Sequence, residues 1–136
     1  MRMRRFDVQP PLILFLLASL FGCGAGERLH VTSIQLGRSL NADSTVAGHT
    51  TTFEPDATVY LAVLTDGVGS GTIGVRWMYR GHVMGEPKRE VSYRDAAATE
   101  FHLQSAGGFP PGEYSVEVFL DGRPVGTREF RVEKQR

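Results

Sequence analysis

The chain has 136 residues, with fifteen basic and fifteen acidic side chains and a single cysteine. This length leaves room for one domain with one hydrophobic core. A formal net charge of zero gives no reason to expect nucleic acid as a partner, and a lone cysteine excludes an intramolecular disulfide framework.

The N-terminus is predicted to be an export signal. Arg2, Arg4 and Arg5 precede the continuous apolar run of residues 12–21, and small residues follow it. A basic head, a short apolar run and a small-residue exit are typical of a secretory leader. A membrane-spanning helix needs about 20 apolar residues, so this run is too short to be one. The leader holds three of the basic and one of the acidic side chains, so twelve basic and fourteen acidic ones remain, a formal charge of −2.

The segment after the leader begins with a tether and a strand. Residues 24–28 form a polar tether that spans at most about 18 Å when extended. The composition of residues 29–36 predicts the first strand. Residues 37–57 are the least regular part of the chain; within them, residues 50–53 are predicted to form a short edge strand, and disorder is the alternative for residues 39–44.

The middle of the chain is predicted to form long strands. Residues 58–65 are apolar on both faces, as in a central strand of a packed sheet. A glycine-rich turn over residues 66–71 leads to a strand at 72–80, where Val75, Trp77 and Tyr79 share one face.

Two further strands precede the end of the domain. A less regular strand covers residues 83–93 and is interrupted by Gly85 and Pro87, which weaken strand pairing. Apolar and polar residues alternate over 99–104, and this strand runs into a loop at 105–111.

Residues 112–132 are predicted to form a β-hairpin. Two runs rich in β-branched and aromatic residues flank Asp121 and Gly122, a pair favoured in two-residue turns because both positions tolerate positive φ. In the first run, Phe119 breaks the polar side of the alternation, so the outward face of that strand is not wholly solvated.

About seven short strands separated by turns indicate an all-β, antiparallel β-sandwich. The residues resemble those of the immunoglobulin and fibronectin type III folds over 29–132. Trp77 lies on the third main strand, where such folds bury a tryptophan, and Gly112 and Tyr114 resemble a tyrosine corner. Val116 stands where antibody domains place their second disulfide cysteine, so the resemblance implies apolar packing in place of the disulfide.

The residues from Leu20 to Cys23 resemble the lipobox of bacterial lipoproteins. This resemblance implies cleavage before Cys23, a diacylglyceryl thioether on its sulfur and, in many bacteria, an acyl chain such as palmitate on its amino group. Such chemistry would explain the absence of a partner cysteine. An ordinary signal peptide and an intermolecular disulfide are the alternatives.

These predictions divide the chain into three parts. Residues 1–22 are the signal peptide, residues 23–28 are the lipidated cysteine and its tether, and residues 29–134 are the immunoglobulin-like domain. By analogy with Gram-negative lipoproteins, the lack of aspartate at Gly24 suits the outer membrane, with the domain facing the periplasm.

Candidate chemistry is sparse, and we expect neither catalytic activity, a cofactor nor a metal. The segment from Gly69 to Gly74 matches the GxGxxG pattern, but strand alternation follows it where a dinucleotide site needs a helix; it is interpreted as a flexible turn. The four histidines have no short spacing of the kind that places metal ligands on one element. The middle of the chain is locally cationic, which indicates either an ordinary solvated face or attraction to an anionic surface; the residues are Arg76, Arg80, Lys88, Arg89 and Arg94.

Three functions are compatible with these observations. The first is a non-catalytic, lipid-anchored envelope module that binds proteins through loops or a sheet edge. The second is a carbohydrate- or peptidoglycan-binding module, which requires two coplanar aromatic rings on one exposed face; the candidate rings are Tyr60, Tyr79, Tyr93 and Phe119. The third is a hydrolase with a site assembled across loops.

Overall fold

The structure is a computed structural model that describes residues 27–134. The predicted signal peptide, Cys23 and most of the tether lie outside the described residues. Within them the chain forms ten strands and no helix. The strands are β1 (His30–Leu40), β2 (Val46–His49), β3 (Thr52–Phe53), β4 (Val59–Asp66), β5 (Gly69–Tyr79), β6 (His82–Gly85), β7 (Lys88–Tyr93), β8 (Ala97–Leu103), β9 (Gly112–Leu120) and β10 (Arg123–Val132).

The strands form two sheets. One sheet has the order β2-β1-β4-β8, and the other has the order β3-β10-β9-β5-β6, with β7 also paired to β5. All pairs are antiparallel except β3 with β10. The predicted immunoglobulin-like β-sandwich is therefore confirmed, with ten strands in place of about seven.

The two sheets bury a continuous apolar core between their inner faces. On β4 the inward residues Val59, Leu61 and Val63 are completely buried, which gives the period of two expected of a packed strand. Trp77 on β5 and Val118 on β9 are among the most deeply buried residues of the other sheet. Each such side chain contributes about 1.5–3 kcal/mol on burial, so this core is the main source of stability.

The stretch from 37 to 57 is more regular than the sequence indicates. A hairpin joins β1 to β2, and the Asn41 backbone N–H donates to the Thr45 carbonyl at 2.8 Å. The Asp43 carboxylate accepts hydrogen bonds from the hydroxyl and then from the backbone N–H of Thr45, and these bonds lower the pKa of Asp43. The disorder alternative for residues 39–44 is wrong because these bonds close the turn locally.

The short edge strand predicted at 50–53 is present as β3. It pairs in parallel with the end of β10, where Thr52 lies opposite Arg131 and Phe53 lies opposite Val132. Phe53 is 1% exposed, so this two-residue strand closes one side of the core.

The glycine-rich turn predicted at 66–71 is wrong in extent. Only Gly67 and Val68 separate β4 from β5, and Gly67 has a φ of 89°, in the left-handed region. The Val68 N–H donates to the Glu27 carbonyl at 2.9 Å, which fastens the start of the domain to this turn. Gly69 and Gly71 pair with residues of β7. This pairing extends β5 over residues that the sequence predicts as a turn.

The interrupted strand predicted at 83–93 is present as two strands, β6 and β7, which both lie along β5. β6 pairs with the C-terminal end of β5, and β7 pairs with its N-terminal half. The interruption falls between Gly85 and Pro87, and the Pro87 carbonyl accepts a hydrogen bond from the Val75 N–H at 3.0 Å. The edge therefore keeps its contact with β5 across the break.

The closing hairpin consists of β9 and β10. Asp121 and Gly122 have φ of 51° and 80°, the left-handed values of a two-residue turn. The Asp121 N–H donates to the Thr72 carbonyl at 2.9 Å, and its carboxylate accepts from the Thr72 N–H at 2.8 Å. The hairpin tip is thus bonded to the start of β5.

Candidate functional site

The two aromatic residues singled out from the sequence both lie in the core. Trp77 is 1% exposed, and its indole N–H is a buried donor with no hydrogen-bond partner among the described residues. Tyr114 is 3% exposed, and its hydroxyl donates to the Pro110 carbonyl at 2.5 Å, which is the bond of a tyrosine corner. The Tyr114 ring stacks between Tyr79 and Phe130, with centroid distances of 4.4 and 5.2 Å. These residues hold the fold together and are not available to a ligand.

We expect Tyr114→Phe to lower the free energy of unfolding by about 1–2 kcal/mol, because the buried Tyr114 side chain loses its hydrogen bond to the Pro110 carbonyl. Tyr79→Phe is the matched control, since the Tyr79 hydroxyl makes a longer bond, 3.2 Å, to the neighbouring Pro111 carbonyl in a more exposed place; it should cost less than about 0.5 kcal/mol. Urea denaturation followed by circular dichroism measures both. Equal losses for the two variants would contradict the special role of Tyr114.

The same variant has a second readout in its pH dependence. Burial raises the pKa of Tyr114, the neighbouring Tyr79 raises it further, and Arg80 opposes the shift. A folded-state pKa above the unfolded one means that the folded protein holds the proton more tightly. Stability is therefore fully present below the ordinary tyrosine pKa of 10.0 and falls as the pH rises through it. Tyr114→Phe should show a smaller alkaline loss.

The histidines do not converge on one site. They lie on four different strands: His30 on β1, His49 on β2, His82 on β6 and His102 on β8. Within residues 27–134 no three histidine, cysteine, aspartate or glutamate side chains are grouped so as to hold a metal ion. The same residues contain no helix that is long and apolar enough to cross a membrane.

Two of the five basic residues in the predicted cationic stretch, Arg76 and Arg89, form ion pairs with nearby carboxylates. Arg76 Nε lies 2.8 Å from Glu86 Oε1, and an Arg76 terminal nitrogen lies 3.5 Å from Glu117 Oε1. Arg89 pairs with Glu100 on β8 at 3.4 Å. This arrangement matches the solvated-face alternative.

The four rings considered for glycan binding lie in separate environments. Tyr60 is on the outer face of the four-stranded sheet beside His102, and Phe119 is on the outer face of the six-stranded sheet. Tyr79 stacks on Tyr114 at the core, and the Tyr93 hydroxyl bonds Thr99 at 2.8 Å. Each ring is partly buried, so no exposed platform of two coplanar rings is built from them.

The outer face of the six-stranded sheet carries a recessed slot. Register places Lys88 of β7, Gly74 of β5 and Phe119 of β9 side by side across the sheet. Because Gly74 has no side chain, a depression remains between the Lys88 stem and the Phe119 ring. Thr72 and Gly122 border the same slot.

Charged groups line the end of the slot that is opposite Thr72 and Gly122. The Arg76 guanidinium lies over the Phe119 ring, with its carbon 5.0 Å from the ring centroid, and its ion pair with Glu86 forms the wall. An arginine held by two carboxylates and an aromatic face is fixed in position. The slot is therefore preformed, with an apolar wall and a charged rim.

The outer edge formed by β6 is a second exposed feature. Val83 is 51% exposed and Met84 is 39% exposed, and both belong to this four-residue strand. Met84 is an extra residue in the pairing with β5. A short, bulged edge is poorly suited to the addition of another strand.

No protein-family model matches this chain, and no curated protein sequence matches it. The fold is similar to that of solved structures. An immunoglobulin-like protein from Pseudomonas aeruginosa, solved at 1.50 Å, superposes with a TM-score of 0.54 at 12% identity, over 81% of this chain and 100% of that one. This similarity, together with the sheet order, shows an immunoglobulin-like fold.

Two weaker structural similarities extend over comparable lengths of this chain. The CARDB domain of a Pyrococcus furiosus protein, solved with di-metal ions, has a TM-score of 0.45 at 14% identity, over 82% of this chain and 90% of that one. A β-glucosidase from Listeria innocua has a TM-score of 0.47 at 14% identity, over 79% of this chain and 16% of that one.

Proposed function

We propose that this protein is a non-catalytic, lipid-anchored interaction module of a bacterial cell envelope. Cys23 carries the lipid, residues 24–28 tether the domain, and the immunoglobulin-like domain binds a protein partner. The anchoring part of the proposal is supported by the sequence from Leu20 to Cys23 and by the basic and apolar leader before it.

The proposed interaction role is inferred from the slot over Gly74. It lies on the outer face of a sheet whose inner face is fully packed, so its walls are held by rigid strands. Recessed pockets with an apolar wall and a charged rim are where protein interfaces concentrate their binding energy. No step of covalent chemistry is needed for this role.

The short tether favours one orientation of the domain relative to the membrane. From Cys23 to Glu27 the chain spans at most about 14 Å. The start of the domain is fastened to the β4–β5 turn through the bond between Glu27 and Val68, and the β9–β10 turn lies at the same end, bonded to Thr72 near the start of β5. This end faces the membrane in the proposal, and the outer sheet faces stand away from it at the sides.

Glycan binding is a weaker alternative. It required two coplanar rings on one exposed face, and Tyr60 and Phe119 lie on opposite outer faces of the sandwich. No other observation among the described residues favours a carbohydrate over a protein.

Replacement of Cys23 by serine tests the anchoring. Serine has no sulfur to accept the diacylglyceryl group, so the variant should leave the membrane fraction almost completely and accumulate as a soluble or longer species. Membrane attachment through two or more acyl chains is far firmer than through one, and the wild-type protein should therefore need detergent for release. Fractionation of the producing bacterium followed by immunoblotting gives the measurement.

Ala25→Ser is the matched control, because it makes a similar small change in the tether and leaves the cysteine in place. It should remain in the membrane fraction. A Cys23→Ser protein that is membrane-bound and normally processed would refute the anchoring proposal.

A further inference from the structure

Gly74 is a glycine that the fold does not require. It lies in the interior of β5, paired with strands on both sides, and its φ is not in the left-handed region. A Cβ added there would lie 3.6 Å from Lys88 Cγ and 3.8 Å from Phe119 Cβ, which are ordinary contact distances. Since glycine weakens a strand interior, packing alone would favour a residue with a side chain here.

The missing side chain has one consequence at the surface: it keeps the slot open. The gap above Gly74 is one aliphatic group wide, because a single carbon placed at the Cβ position would contact Lys88 Cγ and Phe119 Cβ at the same time. The space between Lys88 and Phe119 is therefore wide enough for one inserted side chain and too narrow for a second strand. Glycine within a strand often marks such a close approach by another molecule.

The charge of the surrounding face indicates what kind of segment approaches. On the outer face of the six-stranded sheet, carboxylates outnumber cations by two to one. The carboxylates are Glu86, Glu90, Glu113, Glu117, Glu129 and Glu133, and the cations are Arg76, Lys88 and Arg131.

Pairing within the face does not cancel this excess. Arg76 forms ion pairs with Glu86 and Glu117. Arg131 forms ion pairs with Glu113 and Glu133. Each arginine cluster thus keeps a charge of −1. Within residues 27–134, Glu90 and Glu129 have no ion-pair partner, and neither does Lys88, whose apolar stem lines the slot while its ammonium group reaches solvent. A second copy of this acidic face would be repelled, and a cationic segment would be attracted.

We infer that the slot over Gly74 receives one apolar side chain from a cationic segment of a partner polypeptide. The inserted side chain packs between the Phe119 ring and the Lys88 stem, and basic residues beside it in the partner meet the carboxylates of the face. This inference rests on the proposed interaction role and names the surface and the partner chemistry for it.

Peptide titration of the full-length protein in a polyoxyethylene detergent tests the inference. The probe is a capped pentapeptide with a central leucine between two pairs of lysines, and amide chemical shifts in the ¹⁵N-labelled protein report binding. We expect shifts at Gly74, Lys88 and Phe119, and weaker binding at higher salt. A peptide with serine for leucine should bind about tenfold more weakly, since the burial of one leucine side chain is lost, and one with glutamates for lysines should not bind.

Gly74→Ala is the variant that separates binding from folding. Its methyl group fits the space, so its melting temperature should equal or exceed that of the wild type, whereas its affinity for the leucine peptide should fall at least about tenfold. Gly85→Ala is the matched control, because Gly85 is also a strand glycine with room for a Cβ and lies outside the slot. It should keep wild-type affinity.

Several results would overturn the inference. They are equal binding of the leucine and serine peptides, unchanged affinity in Gly74→Ala, shifts confined to the β6 edge, no binding of the lysine peptide, or occupation of the slot by chitin or peptidoglycan fragments. Each of these can occur while Cys23→Ser still releases the protein from the membrane. Failure of the slot is thus distinguishable from failure of the anchor.

Discussion

Trp77→Ala is expected to lower the free energy of unfolding by about 3–5 kcal/mol, a large fraction of the stability of a domain of this size. The indole is 1% exposed and lies in the inner row of β5, where it meets the Phe130 ring edge-on at 6.0 Å. Its removal would leave a cavity that the rigid strands on either side cannot close. Urea denaturation followed by far-ultraviolet circular dichroism is the measurement, because Trp77 is the single tryptophan and its fluorescence is lost in the variant.

Two controls accompany this variant. Trp77→Phe keeps most of the apolar volume and removes an indole N–H that has no partner among the described residues, so it should cost clearly less than the alanine substitution. Val83→Ala on the exposed β6 edge should change stability by less than about 0.5 kcal/mol. A loss below about 1 kcal/mol for Trp77→Ala would contradict a core position for the indole.

Phe130→Ala is expected to have a comparable effect, about 3–5 kcal/mol. This ring is the centre of the aromatic cluster, since it stacks on Tyr114 at 5.2 Å and meets Phe53 and Trp77 edge-on at 5.6 and 6.0 Å. It therefore couples β10 to β9, β5 and β3. The same urea titration measures the loss.

A double-mutant cycle tests this coupling directly. Phe53→Ala and Phe130→Ala should be non-additive by about 0.5–1.5 kcal/mol, the usual value of an aromatic pair beyond its buried area. Pairing Phe130→Ala with Leu61→Ala on the opposite sheet gives the control, for which a smaller coupling is expected. Strict additivity of the Phe53 and Phe130 losses would contradict the packing of β3 against β10 described above.

The sequence predicted those parts of the fold whose signals are local. Asp121 and Gly122 mark a two-residue turn by themselves, and the alternation on either side needs only nearest neighbours. The inward position of Trp77 also follows from the local alternation of its strand. The break at Gly85 and Pro87 follows from their residue types, because glycine and proline weaken strand pairing.

Other parts of the fold depend on partners that are distant in the chain. β3 has two residues and little pattern of its own, and it exists because the end of β10 pairs with it in parallel. The β1–β2 hairpin is different, since its turn is closed locally by hydrogen bonds that the Thr45 backbone N–H and hydroxyl donate to the Asp43 carboxylate, but the segment has too few apolar residues to show a strand pattern. The glycines of early β5 look like a turn until β7 pairs with them.

The sequence indicates only one residue of the candidate site. Phe119 stood out because it interrupts the polar side of its strand, but nothing local places it beside Gly74 and Lys88. That juxtaposition is set by the register of three strands whose residues are far apart in sequence. Gly74 falls both in the GxGxxG segment and in the strand predicted at 72–80, and nothing in the sequence indicates that it borders a depression.

The most direct test of the whole account is the intact mass of the native protein, extracted with detergent from the membrane of the bacterium that makes it. A lipid-anchored module predicts a product that begins at Cys23 and is heavier than residues 23–136 by a diacylglyceryl group, with or without an additional acyl chain. A product with a free thiol at Cys23, or one that begins after this residue, would contradict the account.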